Sequence, residues 1–393
     1  QIRTIKLWEQ DYTSEVDFIN EIIIKLKELN ISNSEEKALH KISLQLINNI
    51  KFWYLFFKKL NIKIHLDVKE YSTDTVVKQL ALCKLDGCSV GKLRSYPGVE
   101  SYDFLGFYPN DIFFVPSEDA AKRMKNHSFN KFQYIIIGGS AYNSITSNNK
   151  VELEEIKKFF KDNNKKFIIL LLDSNFSENK SSSRFQFLST ESFLSFYNIF
   201  VDTLSKVDDI GIIIKTKKLS LLKHHKDLYL KILDLEKKGI CYLVKDPFQK
   251  KPSLYASIAN LVVATGSFYP SSLMECVGKK KLGIFCDFAN LKSIEQELYN
   301  WGEKKVIFNN MKELSNKILE FKNDRLKNKY FGDWSHQKEI LDPYQDNMGG
   351  KRIGQYIKIL LDNFKNKLSS FETITKANNE FSKMWGKDKI IKL

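Results

Sequence analysis

The sequence predicts an α/β fold made of two halves, each with a parallel sheet covered by helices. Its 393 residues correspond to two domains at roughly 150 residues per domain. In the second half, short apolar runs of strand length alternate with helical patterns, as they do in parallel βαβ units. One run, residues 210–214, is apolar without a break, which is typical of a strand buried on both faces.

The first half begins with helical patterns and continues with alternating strands and helices. Apolar spacing predicts helices over residues 15–29, 34–60, 74–84 and 117–125, the last capped by Ser117. Strands are predicted over residues 62–66, 111–115 and 133–137. Glycines and charged residues punctuate residues 86–95, so this stretch is predicted as a loop that lines a cleft.

The second half follows a more regular βαβ series. Strands are predicted over residues 167–172, 210–215, 240–243, 261–264, 282–285 and 306–308. Helices are predicted near residues 151–161, 189–204, 223–238, 252–258, 271–277, 294–299, 311–322 and 350–368, followed by a helical tail. We place the first domain at residues 1–148, the second at 149–350 and a C-terminal helical segment at 351–393.

The net charge indicates which ligands the protein can attract, and the cysteine pattern indicates which stabilising sites it lacks. The chain carries 62 Lys and Arg against 47 Asp and Glu, a formal net charge of +15. Such a charge attracts nucleic acid, an anionic membrane, nucleotides or phosphorylated substrates, but lysines spread along the whole chain also simply solvate a surface. The five cysteines show no paired spacing, which argues against a disulfide framework and a zinc site. Without a signal peptide or an apolar run near 18 residues, the predicted location is cytoplasmic.

A predicted strand ends at residue 264 and leads through a small, hydroxyl-rich turn into a helix. Free backbone N–H groups at a helix start, with hydroxyls nearby, form an anion site, and strand carboxyl ends are where such sheets bind ligands. Glu275, about one turn into the helix, suits a ribose hydroxyl pair. The alternative is a capping box with Ser272 as cap. The predicted ligand-binding residues here are Gly266, Ser267, Ser271, Ser272 and Glu275.

Two lysines follow the central apolar strand. Lys215 ends that strand and Lys217 lies in the turn after it, where a cation suits a phosphate or carboxylate. The alternative is a solvated loop charge. His224 and His225 follow, and adjacent histidines on a helix point in different directions, which is poor metal-ligand spacing.

The glycine-punctuated stretch in the first half is basic and resembles a phosphate loop only superficially, because the spacing is one residue short of the nucleotide-binding pattern. Its side chains remain available to an anionic group. The residues predicted to line this part of the cleft and bind an anion are Gly91, Lys92, Arg94 and Ser95.

Two acidic residues follow that stretch. Glu100 or Asp103 is the candidate general base, since a carboxylate in a cleft can accept a proton. The alternative for each is a solvated surface acid.

The order of these motifs resembles bacterial surface-carbohydrate glycosyltransferases of the two-Rossmann (GT-B) type. The resemblance covers about residues 53–361 and depends on order more than on any one motif. A narrower similarity is to transferases of ulosonic acids such as Kdo, or of nonulosonic acids, which use CMP-activated donors. Those sialyltransferase-like proteins carry Lys-Gly-His or Lys-Pro-His after the strand, whereas Thr216 follows Lys215 here. The matching segments are 78–82, 89–95, 215–217, 253–256, 266–275 and 342–346, with the helix of Arg352.

The resemblance implies two Rossmann-like domains facing a cleft, with C-terminal helices that cross back to the first domain. It implies a nucleotide-sugar donor in the second domain, and the residues that would bind it are Lys215, Lys217, Gly266, Ser267, Ser271, Ser272 and Glu275. It implies a glycan or glycolipid acceptor in the first domain, and the residues that would bind it are Gly91, Lys92, Arg94 and Ser95. Glu100 or Asp103 would then take the proton of the acceptor hydroxyl. Backbone N–H groups and hydroxyls would neutralise the leaving phosphate, so neither a metal nor a separate cofactor is expected. A lipid-linked acceptor implies peripheral contact with the inner face of the membrane.

Two other functions stay open from the sequence. A sugar-nucleotide epimerase of the same fold would need no acceptor. A nucleic-acid-binding protein would use the positive charge, but no recognisable binding module is present and the lysines do not cluster on one helix.

Overall fold

The computed structural model describes residues 17–28, 33–68, 73–93, 108–125, 133–140, 147–174, 189–247, 250–266, 270–293 and 296–393. The strands in these ranges are β1 Ile64–Asp67, β2 Cys88–Lys92, β3 Ile112–Val115, β4 Tyr134–Ile137, β5 Phe167–Leu172, β6 Ile210–Lys215, β7 Cys241–Leu243, β8 Leu261–Thr265, β9 Gly283–Cys286, β10 Ile307–Phe308 and β11 Ile390–Lys392.

Helices connect and cover these strands. They are α1 Asp17–Lys27, α2 Ser34–Lys59, α3 Thr73–Lys84, α4 Glu118–Lys125, α5 Ser147–Asp162, α6 Thr190–Asn198, α7 Leu219–His224, α8 Lys226–Lys237, α9 Pro252–Ala256, α10 Ser271–Gly278, α11 Gln296–Gly302, α12 Met311–Asn323, α13 Lys338–Leu341, α14 Gly349–Lys365 and α15 Ser370–Trp385. None of these described helices combines the length and the apolar character needed to cross a membrane.

The first sheet has the strand order β1-β2-β3-β4-β11. Its first four strands are parallel, and β11 pairs antiparallel to β4 with Ile390 opposite Ile136. The sequence predicts only a helical tail after residue 368, so the closing strand is a correction. Strand β11 has only three residues, which is too short for an alternating apolar pattern to distinguish it from a continuation of the preceding helix.

The C-terminal helices cover one face of this first sheet, as the resemblance implies. Phe114 of β3 packs between Tyr356 of α14 and Phe381 of α15, with ring centroids 5.4 and 6.5 Å away. The opposite face packs against α4. The first domain therefore needs the end of the chain to bury its sheet on both faces. The boundary predicted at residues 148/149 falls in the first turn of α5.

Strand β2 is a second correction, since the sequence predicts a loop there. Gly91 is buried within β2, and a Cβ on it would lie 2.4 Å from the ring of Phe113. A glycine makes a strand harder to predict from the sequence. Here the absence of a side chain at Gly91 leaves space for the ring of Phe113 on the neighbouring strand β3.

The second sheet has the strand order β10-β9-β8-β5-β6-β7, and all six strands are parallel. Every residue of β5, β6 and β8 is buried, which explains why their continuous apolar runs could be recognised from the sequence. The chain winds from β5 in one direction to β7 and then crosses back to β8. The order reverses between β5 and β8, as it does in the doubly wound dinucleotide-binding fold.

One helix prediction in this domain is wrong. Residues 223–238 are predicted as a single helix, whereas α7 ends at His224 and α8 begins at Lys226. His225 leaves the helical conformation with φ −86° and ψ 78°, and its ring packs 5.4 Å from that of Phe193. A tertiary contact thus overrides a helix that local spacing favours.

Candidate active site

The reversal point of the second sheet brings three strand ends together. Leu172 at the end of β5 lies beside Lys215 of β6 and Ala264 of β8. The residues that follow these strands, Asp173 and Gly266 among them, therefore lie at the same edge. In an open α/β sheet the crevice at such a reversal point is where ligands bind.

Helix α10 begins directly beyond this edge. Its N-cap is Pro270, whose carbonyl accepts from the N–H groups of Leu273 and Met274 at 2.8 and 3.1 Å, and no side chain caps the helix. The capping-box alternative is therefore wrong. Ser271 and Ser272 lie partly exposed in the first turn. The helix start favours a negatively charged group at this position.

Of the other residues predicted to bind the donor around this helix start, the structure describes Gly266 and Glu275. Gly266 is buried at the end of β8, and Ser267 lies outside the described residues. The carboxylate of Glu275 accepts from the backbone N–H of Ser253 at 3.3 Å, which ties α10 to α9. Glu275 is partly exposed.

Lys215 lies at the predicted edge but is buried, with only 8% of its surface exposed. Its ammonium group donates to the carbonyl of Pro247 at 3.0 Å. Burial lowers the pKa of Lys215, while the nearby carboxylates of Asp173 and Glu275 act in the opposite direction. Lys217 is exposed in the turn that follows, so the alternative of a solvated loop charge does not apply to the buried Lys215.

Asp173, a buried carboxylate that was not predicted from the sequence, also lies at the carboxyl edge of β5, β6 and β8. Asp173 follows β5 directly and accepts from the hydroxyl of Tyr197 at 2.9 Å and from the backbone N–H of Lys217. Burial raises the pKa of Asp173 to about 7, although the hydrogen bonds and the charges of Lys215 and Lys217 oppose the shift. The available signal was an acidic residue directly after a fully apolar strand.

Asp287 follows β9 in the same way but is fully used by its own loop. Its carboxylate accepts from the N–H groups of Ala289 and Leu291 at 2.9 and 2.7 Å and from the hydroxyl of Tyr299. It closes the turn after β9 and is 1% exposed. We therefore assign it a structural role.

Of the residues predicted to bind the acceptor, the structure describes Gly91 and Lys92. Gly91 lies within β2 with Phe113 against it, and Lys92 ends that strand with its ammonium group 3.3 Å from the carbonyl of Leu93. The other four predicted residues of the first domain lie outside the described residues: Arg94, Ser95, Glu100 and Asp103.

The charge and the acidic and metal-binding side chains elsewhere in the described ranges form no comparable site. These ranges contain no group of three or more His, Cys, Asp and Glu side chains placed to hold a metal ion. A cavity of about 300 Å³ lies at the opposite, amino edge of the second sheet, beside the start of β5. Its lining includes the lysines Lys157, Lys161, Lys165 and Lys166. Part of the positive charge therefore lies far from the reversal point.

No family model and no curated protein matches the chain. Similar solved structures include S. aureus MnaA bound to UDP, at 13% identity and a TM-score of 0.50, covering 85% of this chain and 84% of that one. Another is a putative UDP-N-acetylglucosamine 2-epimerase from Listeria monocytogenes, at 12% identity and a TM-score of 0.51, covering 85% and 83%. A glycosyltransferase from Rickettsia africae matches at 14% identity and a TM-score of 0.44, covering 91% and 84%.

At these identities the likeness shows the fold. The chain is an α/β protein with two Rossmann-like domains in the GT-B arrangement, as the sequence predicts. Nucleotide-sugar enzymes of more than one reaction class share this arrangement, so the reaction has to be argued from the site.

Proposed function

We propose that this protein is a glycosyltransferase that binds a nucleotide-activated sugar at the carboxyl edge of β5, β6 and β8. The observation that carries the proposal is the reversal of strand order between β5 and β8, directly beside the uncapped start of α10. This edge combines a helix N-terminus, two serines and a buried lysine, all of which favour an anionic ligand.

The donor would lie with its diphosphate or phosphate against the start of α10. Backbone N–H groups and the hydroxyls of Ser271 and Ser272 would donate to the phosphate oxygens, and Lys215 adds positive charge behind them. Glu275 would accept from the ribose hydroxyls with the lone pairs that Ser253 leaves available.

The reaction would be a substitution at the anomeric carbon. An acceptor hydroxyl oxygen attacks that carbon, the bond from the carbon to the phosphate oxygen breaks, and its electron pair leaves with the nucleotide. Glu100 or Asp103 takes the hydroxyl proton. The α10 start stabilises the charge that develops on the leaving phosphate, which lowers the barrier.

An epimerase is the second candidate. It is favoured by the two matches with TM-scores of 0.50 and 0.51, one bound to UDP and the other named as a putative UDP-N-acetylglucosamine 2-epimerase. Product analysis separates the two functions. An epimerase converts a nucleotide sugar without an acceptor, whereas a transferase releases the nucleotide and links the sugar to a glycan or glycolipid.

The donor base is tested directly by binding. Motif order favours CMP, while the names of the two matches favour UDP. Thermal unfolding with CMP, UDP, GDP and CDP should show stabilisation by the true leaving group, amounting to about 2.7 kcal/mol when the ligand is at a hundredfold excess over its Kd. Stabilisation by none of the four would overturn the proposal.

We also propose that the acceptor is lipid-linked and that the positive charge holds the enzyme at an anionic membrane surface. Co-sedimentation should then occur with vesicles containing phosphatidylserine and should be absent with phosphatidylcholine alone. Preferential, steeply salt-dependent binding to DNA or RNA would instead favour the nucleic-acid hypothesis.

A further inference from the structure

Asp173 is a buried carboxylate, and its burial lowers the stability of the folded protein unless its neighbours compensate. It follows β5 at the point where the strand order reverses, and only 8% of its surface is exposed. A buried carboxylate is destabilising unless hydrogen bonds and opposite charges compensate for its lost hydration. Its partners therefore indicate what the carboxylate holds in place.

One oxygen of Asp173 is held by a rigid partner. Tyr197 of α6 donates to Oδ2 at 2.9 Å. The Tyr197 ring is fully buried and packs against Phe193 and Phe196, with ring centroids 4.9 and 5.4 Å away. Burial and the adjacent Asp173 carboxylate raise the pKa of Tyr197, so it remains a donor at neutral pH.

The other oxygen of Asp173 accepts a hydrogen bond from the turn that follows the neighbouring strand β6. Oδ1 accepts from the backbone N–H of Lys217, which lies two residues beyond the end of β6. This contact fixes the path of Thr216, which is fully buried and whose hydroxyl has no hydrogen-bond partner among the described residues. Asp173 thus joins α6, β5 and the turn after β6 at the candidate donor site.

We propose that Asp173 is a positioning residue whose carboxylate holds the turn after β6 in the conformation that binds the nucleotide. This inference rests on the proposed function, because it gives the turn a role in nucleotide binding. The groups that face Asp173 from neighbouring elements are Tyr197 of α6 and Lys215 and Lys217 of β6 and its turn, while Glu275 of α10 faces Lys215.

The protonation state of Asp173 should also affect the stability of the fold. Because burial raises the pKa of Asp173 to about 7, the folded protein binds a proton more tightly than the unfolded chain does. Ionised Asp173 therefore lowers stability as the pH rises from about 4, the unfolded carboxyl value, towards about 7. Thermal unfolding reports this titration, whereas nucleotide binding reports the positioning role.

The experiment compares wild type with D173N by calorimetric titration of UDP and CMP between about pH 6 and pH 8, on either side of the folded pKa. We expect wild-type affinity to increase with pH across this range and D173N to bind about tenfold more weakly at the upper end, with a flatter pH profile. The ring of His225 packs against that of Phe193 nearby, and any contribution from His225 cancels in the difference between the two proteins.

Thermal unfolding supplies the second readout. The melting temperature of D173N relative to wild type should increase as the pH rises, because the variant lacks the titrating carboxylate. Equal affinity and an equal pH profile in the two proteins would overturn the inference alone. Failure of wild type to bind either nucleotide would overturn the inference for these ligands, and the full four-nucleotide panel then decides the proposed function.

A second variant keeps the test decisive if D173N does not fold. Y197F retains the buried ring and removes only the hydroxyl that stabilises the ionised carboxylate. The midpoint of the pH profile for nucleotide binding should move upwards, because Asp173 then ionises less readily. An unchanged midpoint would contradict the positioning role.

Discussion

Arg352 and Asp346 form a two-pronged ion pair at the junction between the first sheet and the C-terminal helices. Nη1 of Arg352 lies 3.1 Å from Oδ1 of Asp346, and Nη2 contacts Oδ2. The side chain of Arg352 is 1% exposed, and its guanidinium lies 3.5 and 4.4 Å from the ring centroids of Tyr344 and Trp385, whose planes are perpendicular to each other. Nη1 also donates to the carbonyl of Gly138, just after β4. One side chain thus ties β4 to both C-terminal helices.

Replacing Arg352 with Met should destabilise the protein by about 3 kcal/mol, because the two-pronged contact is lost and Asp346 loses its partner. Urea unfolding measures the change. The matched control is K358M on the same helix, whose exposed pair with Asp362 spans 3.1 Å. It should change stability by less than about 1 kcal/mol. Equal effects of the two variants would contradict the role of the buried pair.

The Arg352–Asp346 pair should also make stability fall in acid. Partial burial would raise the pKa of Asp346, but the hydrogen bonds and charge of Arg352 outweigh it and lower the pKa. A lowered folded pKa means that the stabilisation is present above the unfolded value of about 3.9 and is lost as the pH falls through the folded pKa. Urea unfolding of D346N should therefore show a smaller loss of stability below about pH 4 than wild type does.

Gly91→Ala should destabilise the protein by about 1–3 kcal/mol and leave nucleotide binding unchanged, because its Cβ would overlap the Phe113 ring at 2.4 Å. The matched control is G354A, since Gly354 is exposed in α14 and a Cβ there meets nothing within 4 Å. That variant should stabilise by about 1 kcal/mol through helix propensity. Normal stability of G91A combined with lost acceptor binding would restore Gly91 to the predicted acceptor site.

Replacing both Ser271 and Ser272 with Ala should weaken binding of the nucleotide that stabilises wild type by about tenfold, because it removes the two hydroxyls that we propose donate to the phosphate. Calorimetric titration measures the affinity. The control is S335A, an exposed serine in the turn before α13. Unchanged affinity in the double variant would place the nucleotide elsewhere.

Glu275→Gln should remove the preference for ribose over 2′-deoxyribose in the bound nucleotide. We expect wild type to bind the ribonucleotide about tenfold more tightly, since a hydrogen bond to a charged group contributes about 1.5–3 kcal/mol. In E275Q the two forms should bind almost equally. If the variant keeps the full preference, Glu275 serves only its contact with Ser253.

The elements of the second domain could be predicted from the sequence because its strands are buried on both faces. Continuous apolar runs such as Phe167–Leu172 reflect burial that every residue of the strand shares. The start of α10 and the position of Lys215 at a strand end followed from the same local patterns. The broken helix at His225 and strand β2 could not be predicted, since each depends on a partner distant in the chain, Phe193 and Phe113 respectively.

The sequence by itself determined the class of the fold, most strands and helices of the second domain, and the helix start that favours an anion, because these depend on the chemistry of near neighbours along the chain. The resemblance of its motif order implied the return of the C-terminal helices to the first domain. Only the tertiary structure decided the strand order that reverses between β5 and β8 and the pairing of β11 with β4. It also brought Asp173 to Lys217, which is 44 residues away. Such contacts depend on packing and burial over the whole chain, which no local pattern of residues records.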